Sequence, residues 1–232
     1  MKSSNLFIAA ALLMLSAKFV SAQENQDVAI TGFNEVSVSS GIDLYLTQSN
    51  SENIRINAHP ELLKNVVVEK QGSNLVIRYK DKISWNRLMK GQSTKVYVNY
   101  KILQAISASG GSDVFMQNTL KTDKLAIRVS GGSDIEANVI AKDVEIHASG
   151  GSDIDIKGSA TNMEAHSSGG SDIDALGFIV ENARVSASGG SDANIHVTKA
   201  LEANANGGSD VSYKGNPSVK KTSDKSGDVN KI

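Results

Sequence analysis

Ser149-Gly150-Gly151-Ser152-Asp153, read with its flanks Val144-Glu145-Ile146-His147-Ala148 and Ile154-Asp155-Ile156, decides the fold of this chain. Val144, Ile146, Ala148, Gly150, Ser152, Ile154 and Ile156 share one parity, while Glu145, His147, Ser149, Asp153 and Asp155 share the other. Strict alternation over this length describes extended chain with one face buried. A helix would need apolar residues at a period of 3.6, which this stretch lacks.

The motif returns along the chain. It stands at Gly110-Gly111-Ser112-Asp113, Gly131-Gly132-Ser133-Asp134, Gly150-Gly151-Ser152-Asp153, Gly169-Gly170-Ser171-Asp172, Gly189-Gly190-Ser191-Asp192 and Gly207-Gly208-Ser209-Asp210. Successive motif aspartates are 21, 19, 19, 20 and 18 residues apart. A period near 20 residues marks a stacked repeat in which neighbouring units share one core. The alternation keeps its phase elsewhere, through Leu125, Ile127, Val129, Gly131, Ser133 and Ile135, and through Leu201, Ala203, Ala205, Gly207, Ser209 and Val211. The sequence therefore predicts an all-β chain: a right-handed parallel β-helix of about 20 residues per coil, with columns about 4.8 Å apart. The expected inward columns of Ala, Val, Ile, Ser and Gly make a narrow core. Gly-Gly suits a corner, and the Asp that follows Ser suits turn chemistry with nearby backbone N–H groups.

Working outward, residues 28–100 read as β structure that is not yet repetitive, the start and cap of the solenoid. Ser39-Ser40-Gly41-Ile42-Asp43 is a worn copy of the motif, Val66–Val68 and Leu75–Tyr79 form a hairpin, and His59–Lys64 is the one helical turn expected, with Pro60 at its start. A polar loop from Lys80 to Thr94 carries Trp85. The repeats fill 101–215, and 216–232, with Ser226-Gly227-Asp228-Val229, read as a closing coil or tail. At the other end, Lys2, the apolar run Leu6–Leu15 and Val20-Ser21-Ala22 describe a secretory signal peptide, 1–22, with cleavage expected after Ala22. The run is too short for a permanent bilayer span, and no Cys follows it to carry a lipid anchor. The mature chain, 23–232, is expected as a single exported domain, in the periplasm, on the outer surface or outside the cell.

Composition narrows the function classes. The chain has no Cys, so stability must come from ladders and stacking rather than disulfides. Its net charge of −1 comes from well-mixed charges, which gives no basic field for nucleic acid.

Candidate chemistry lies on the outward columns. Two residues after the motif aspartates stand Phe115, Glu136, Asp155, Asp174, Asn194 and Ser212. Three consecutive coils thus offer carboxylate pairs, Asp134/Glu136, Asp153/Asp155 and Asp172/Asp174. Adjacent carboxylates at strand spacing repel by about 0.9 kcal/mol in water and about 3.5 at an effective dielectric of 20. Calcium would relieve this with carboxylate and carbonyl oxygens, which makes those six residues candidate calcium ligands. Plain turn residues on a wet face are the preferred reading of these columns, and no cofactor is expected. Arg128, His147 and His166 stack in one column, a polar face rather than a metal site, since no third His or Cys stands near. Glu145, Glu164, Arg184 and Glu202 form a further ladder, with Glu164–Arg184 and Arg184–Glu202 expected as surface pairs.

The mature chain resembles the bacterial putative autotransporter adhesins with a head GIN domain, a domain of unknown function. The resemblance rests on Gly32-Phe33-Asn34-Glu35-Val36, Ser40-Gly41-Ile42-Asp43-Leu44-Tyr45-Leu46, Leu75-Val76-Ile77, Val96-Tyr97-Val98 and the Ser-Gly-Gly-Ser-Asp units. It implies a β-helical adhesin of the cell surface or envelope and carries no catalytic residues. No C-terminal membrane barrel is read in residues 1–232, so the chain is not expected to act as an autotransporter by itself.

Three classes follow: an exported, non-catalytic adhesive or structural module, a glycan-active β-helix enzyme, and a calcium-stabilised repeat. A glycosidase would need two carboxyls in a cleft with sugar-stacking aromatics, and a functional site would interrupt the repeat. Between Ser107 and Asn206 the only aromatics are Phe115 and Phe178, and the repeat is unbroken. The expectation is the first class, no enzyme, with an envelope, surface or glycan partner.

Overall fold

The computed structural model describes residues 23–80, 93–224 and 226–232. The signal segment and nearly all of the Trp85 loop lie outside the described residues. The chain runs β1 (Glu24–Val28), β2 (Glu35–Ser39), β3 (Ile42–Gln48), β4 (Asn53–Ala58), α1 (Pro60–Leu63), β5 (Val66–Gln71), β6 (Asn74–Tyr79), β7 (Thr94–Tyr100), β8 (Ala105–Ser109) and β9 (Val114–Met116). It continues through β10 (Leu120–Ser130), β11 (Asp134–Ser149), β12 (Asp153–Ser168), β13 (Asp172–Ser188) and β14 (Asp192–Asn206), and closes with β15 (Asp210–Lys214), β16 (Ser218–Ser223) and β17 (Asp228–Lys231). The result is a β-solenoid of about seven turns with roughly 19 residues per turn.

Each long strand bends once and forms two arms. In β11 the first arm pairs from Asp134 to Ile140 and the second from Asp143 to Ser149, both in parallel with β12. Like residues stack: Ile135 on Ile154, Ile146 on Ala165, Asp134 on Asp153. The same register passes to β13, β14, β15 and β17, where Asp172, Asp192, Asp210 and Asp228 succeed one another. Inward side chains of both arms, among them Ile135, Val139, Ile146, Ile154, Val185 and Ala203, fill one continuous core. Most inward positions of the repeats are small to medium aliphatics, with Phe178 buried among them, and burial of repeated methyl groups drives the stacking.

The corner between coils shows how the motif works. Both glycines of every pair have φ between 64° and 74°. Two successive left-handed residues reverse the chain in the least possible length, and glycine adopts that conformation without a Cβ penalty. Straight alternation puts Gly110, Gly131, Gly150, Gly169, Gly189 and Gly207 on the inward face. The structure corrects this: they lie exposed at the corner, because the turn interrupts the pleat, and alternation resumes at the serine. The motif serines Ser112, Ser133, Ser152, Ser171, Ser191 and Ser209 are fully buried. Their hydroxyls take up backbone groups that the turn leaves unpaired. Ser112 Oγ accepts from Gly41 N at 3.0 Å and Ile42 N at 3.1 Å, and Ser209 Oγ accepts from Gly190 N and Ser191 N, each at 3.1 Å. Buried N–H groups without such acceptors would be costly.

The N-terminal coils do not follow chain order. β2 pairs with β6 on one side and β8 on the other, and β3 lies between β7 and β9. The first coil is therefore inserted between the β6–β7 coil and the first full repeat. Its own corner explains the fit: Ser40, the one described non-glycine residue with positive φ, and Gly41 replace the glycine pair, and Ser40 N donates to Ser109 O at 3.2 Å. Antiparallel β4 and β1 extend the first-arm sheet beyond β7, and antiparallel β5 extends the other beyond β6. At the opposite end β16 pairs with β14 and β17 with β15, a further coil over the last repeat.

Candidate functional site

Three outward features are built by the register. On the first arm, one column runs Lys95, Asp43, Asp113, Asp134, Asp153, Asp172, Asp192, Asp210 and Asp228. Its neighbour two residues on runs Tyr97, Tyr45, Phe115, Glu136, Asp155, Asp174, Asn194 and Ser212. The structure thus brings the three expected carboxylate pairs onto adjacent coils. It also shows how the motif aspartates are used: Asp134 Oδ1 accepts from Asp153 N, Asp172 Oδ1 from Asp192 N and Asp192 Oδ1 from Asp210 N, all at 3.3 Å. The carboxylate is a corner ligand for the backbone of the next coil. In the second column Lys157 donates to Asp155 at 3.1 Å. Burial, and then the charges of Asp134 and Asp172, raise the Asp153 carboxyl above its usual range; burial and then Asp134 do the same to Asp113. No group of three or more His, Cys, Asp or Glu among the described residues is disposed to hold a metal ion.

The aromatic end of that column was missed by reading the repeats alone. Tyr45 stacks on Tyr97 with ring centroids 4.9 Å apart and on Phe115 at 5.1 Å. Tyr97 is 41% exposed. The signal was present in the sequence: Tyr45 stands two residues after Asp43, as Phe115 stands two after Asp113. Tyr97 joins only because β7 folds back beside β3. Tyr45, the middle ring, has both faces covered by this stack, and Lys95 Nζ lies 5.7 Å from its centroid.

On the second arm, His147 and His166 stack with centroids 4.9 Å apart and rings 12° from parallel. Each is tied to the glutamate two residues earlier, His147 to Glu145 at 2.7 Å and His166 to Glu164 at 3.3 Å. His147 first, and then Arg128, hold the Glu145 carboxyl below its usual range. Arg184 pairs with Glu202 at 3.2 Å, and Lys220 joins the same carboxylate at 2.8 Å, while Glu164 is engaged by His166.

Beside these histidines lies a trough of about 890 Å³ that runs along the solenoid axis over six coils. Its sides are two in-register rows, Lys124–Asp143–Asn162–Asn182–Ala200–Ser218 and Ala126–Glu145–Glu164–Arg184–Glu202–Lys220. Between them lie Leu125, Val144, Met163, Ala183 and Leu201, almost wholly buried. Along the first row Asn162 donates to Asp143 at 2.8 Å and Asn182 to Asn162 at 3.1 Å.

A stacked all-β chain whose coils repeat in register belongs to the class of repeat solenoid proteins. The chain is a member of the family described as putative auto-transporter adhesin, head GIN domain, which matches residues 32–217. Solved structures share the fold. A putative adhesin from Bacteroides fragilis superposes with a TM-score of 0.84 at 23% identity, covering 90% of this chain and 97% of that one. One from Parabacteroides merdae gives 0.73 at 22%, covering 92% and 97%. A structure described as a putative lipid binding protein, from Parabacteroides distasonis, gives 0.69 at 19%, covering 92% and 98%. No curated protein sequence matches the chain. No helix among the described residues is long and apolar enough to cross a membrane.

Proposed function

We propose that this chain is an exported, non-catalytic, adhesin-like binding module of the bacterial cell envelope. The observation that carries the reading is the continuous register of the second arm: six coils present polar side chains at strand spacing along a trough of about 890 Å³. Such a surface suits a long partner contacted many times weakly, rather than a small substrate gripped by converging groups. Its carboxylates are spread along columns and engaged by backbone N–H groups, lysine or histidine, an arrangement without a poised acid–base pair. Membership in an adhesin family and the signal-type N-terminus support export.

The test has two parts. An epitope-tagged full chain is followed by cell fractionation and surface proteolysis, and recovery in the envelope or medium is expected; retention in the cytosol would reject export. The mature protein is then screened on a glycan array and against envelope fractions, with saturable binding and no turnover of the bound glycans expected. Product release from any glycan would establish an enzyme instead.

A further inference from the structure

We infer that the axial trough of the second arm is the ligand site and that its ligand is an unbranched, uncharged polysaccharide; this rests on the binding-module reading above.

Direction comes first. The trough crosses the strands, so the backbone N–H and C=O groups beneath it are already spent in the ladders between coils. A peptide could not add as a strand there, because strand addition needs a free sheet edge. Charge comes next. The rims hold Lys124, Arg184 and Lys220 against Asp143, Glu145, Glu164 and Glu202, and several of these neutralise one another directly. Without a field of one sign, neither a polyanion nor a polycation is favoured.

The lining then selects among neutral chains. Asn162 and Asn182 each commit one amide hydrogen to the ladder and keep a second donor for a ligand. With the paired carboxylates and guanidinium, they offer donors and acceptors once per coil, about 4.8 Å apart. A chain of hydroxyl-bearing rings can meet such a series repeatedly. An acyl chain would cover the same polar groups without replacing their water, which costs free energy at every coil. Ala126 and Ala200 leave room between the polar groups for the carbon faces of the rings.

The experiment titrates the mature protein with soluble unbranched neutral glucan, xylan and mannan, and with alginate and phosphatidylcholine vesicles as contrasts. Wild type is expected to bind at least one neutral polysaccharide. Affinity should rise with chain length until the chain spans the six coils, about 24 Å from strand spacing. The double variant Asn162→Leu with Asn182→Leu, and separately Ala200→Trp, should each weaken binding about tenfold or more while melting like wild type. Tyr97→Ala, on the other arm, should change it less than about threefold. Binding that survives both trough variants but falls with Tyr97→Ala overturns the site and leaves the binding-module reading standing. Binding of vesicles or alginate without any neutral polysaccharide overturns the ligand class, as does failure of all three polysaccharides to bind.

Discussion

The motif serine is buried because its hydroxyl pairs backbone groups of the two-glycine corner: Ser112, Ser133, Ser191 and Ser209 accept from N–H groups, while Ser152 and Ser171 donate to the Ser149 and Ser168 carbonyls. At the first full repeat, Ser112→Ala would strip Gly41 N–H and Ile42 N–H of their partner while changing volume little. An unpaired buried donor costs about 1–3 kcal/mol, and a loss of that size in urea unfolding is the expected result. A variant as stable as wild type would show that water can replace the hydroxyl. Glycines differ in the same residue-level way. Gly151 has φ of 70° with nothing closer to a new Cβ than 4.0 Å, so Gly151→Ala should cost only the left-handed penalty, about 1–2 kcal/mol. Gly158, outside the motif, has φ of 116°, and a Cβ there would collide with the Val139 carbonyl. Gly158→Ala should therefore cost about 3 kcal/mol or more, adding overpacking to strain. Equal melting temperatures for the two alanine variants would contradict this ranking.

Stacked arms turn single residues into columns, and the acidic column is where this matters for pH. Burial, Asp134 and Asp172 raise the Asp153 carboxyl in the folded protein, so its ionised form is penalised there relative to the unfolded chain. The penalty is complete above the raised value and fades as pH falls toward the ordinary 3.8. Asp153→Asn keeps an oxygen acceptor and should stabilise the protein at pH 7, with the gain shrinking to nothing below about pH 4. Denaturant midpoints measured across that range check the sign; destabilisation at pH 7 would show that the carboxylate is needed as an anion. Glu145 works oppositely. Held low by His147, it adds stability above 4.5 that is lost as pH falls through its lowered value. Because Asp134, Asp172 and Asp192 already bond backbone N–H groups of the next coil, millimolar calcium should raise the melting temperature no more than sodium chloride of equal ionic strength. A calcium-specific rise abolished by Asp153→Asn with Asp155→Asn would instead make the columns a metal site.

For the whole molecule, coil-to-coil stacking means that each turn depends chiefly on its two neighbours. Deleting residues 134–152 would join Ser133 to Asp153 and restore the motif. Leu125 would then meet Met163 and Arg128 would meet His166, since both currently align with residues of the removed coil. The shortened protein should remain a cooperatively folded β-solenoid, less stable than the parent and shorter by about 4.8 Å. Circular dichroism and small-angle scattering decide it, and an unfolded product would mean that the stack folds as one indivisible unit.

Parity and period were legible without coordinates: the alternation around Ser152 and the near-20-residue spacing of the motif require extended coils stacked in register, because both follow from local backbone geometry. The worn motif at Ser40-Gly41 was legible for the same reason. Tertiary structure alone decided where that coil goes, since insertion between the β6–β7 coil and the first full repeat depends on which edges pair, not on chain order. It also moved the first glycine of each motif out to the corner, because two left-handed residues break a pleat that simple alternation carries straight through. The Tyr97–Tyr45–Phe115 stack and the axial trough likewise arise only from register between distant segments. Sequence determined what each coil is made of; the packing of coil on coil decided which side chains stand together on the surface, because lateral neighbours are chosen by strand pairing over separations that no local pattern encodes.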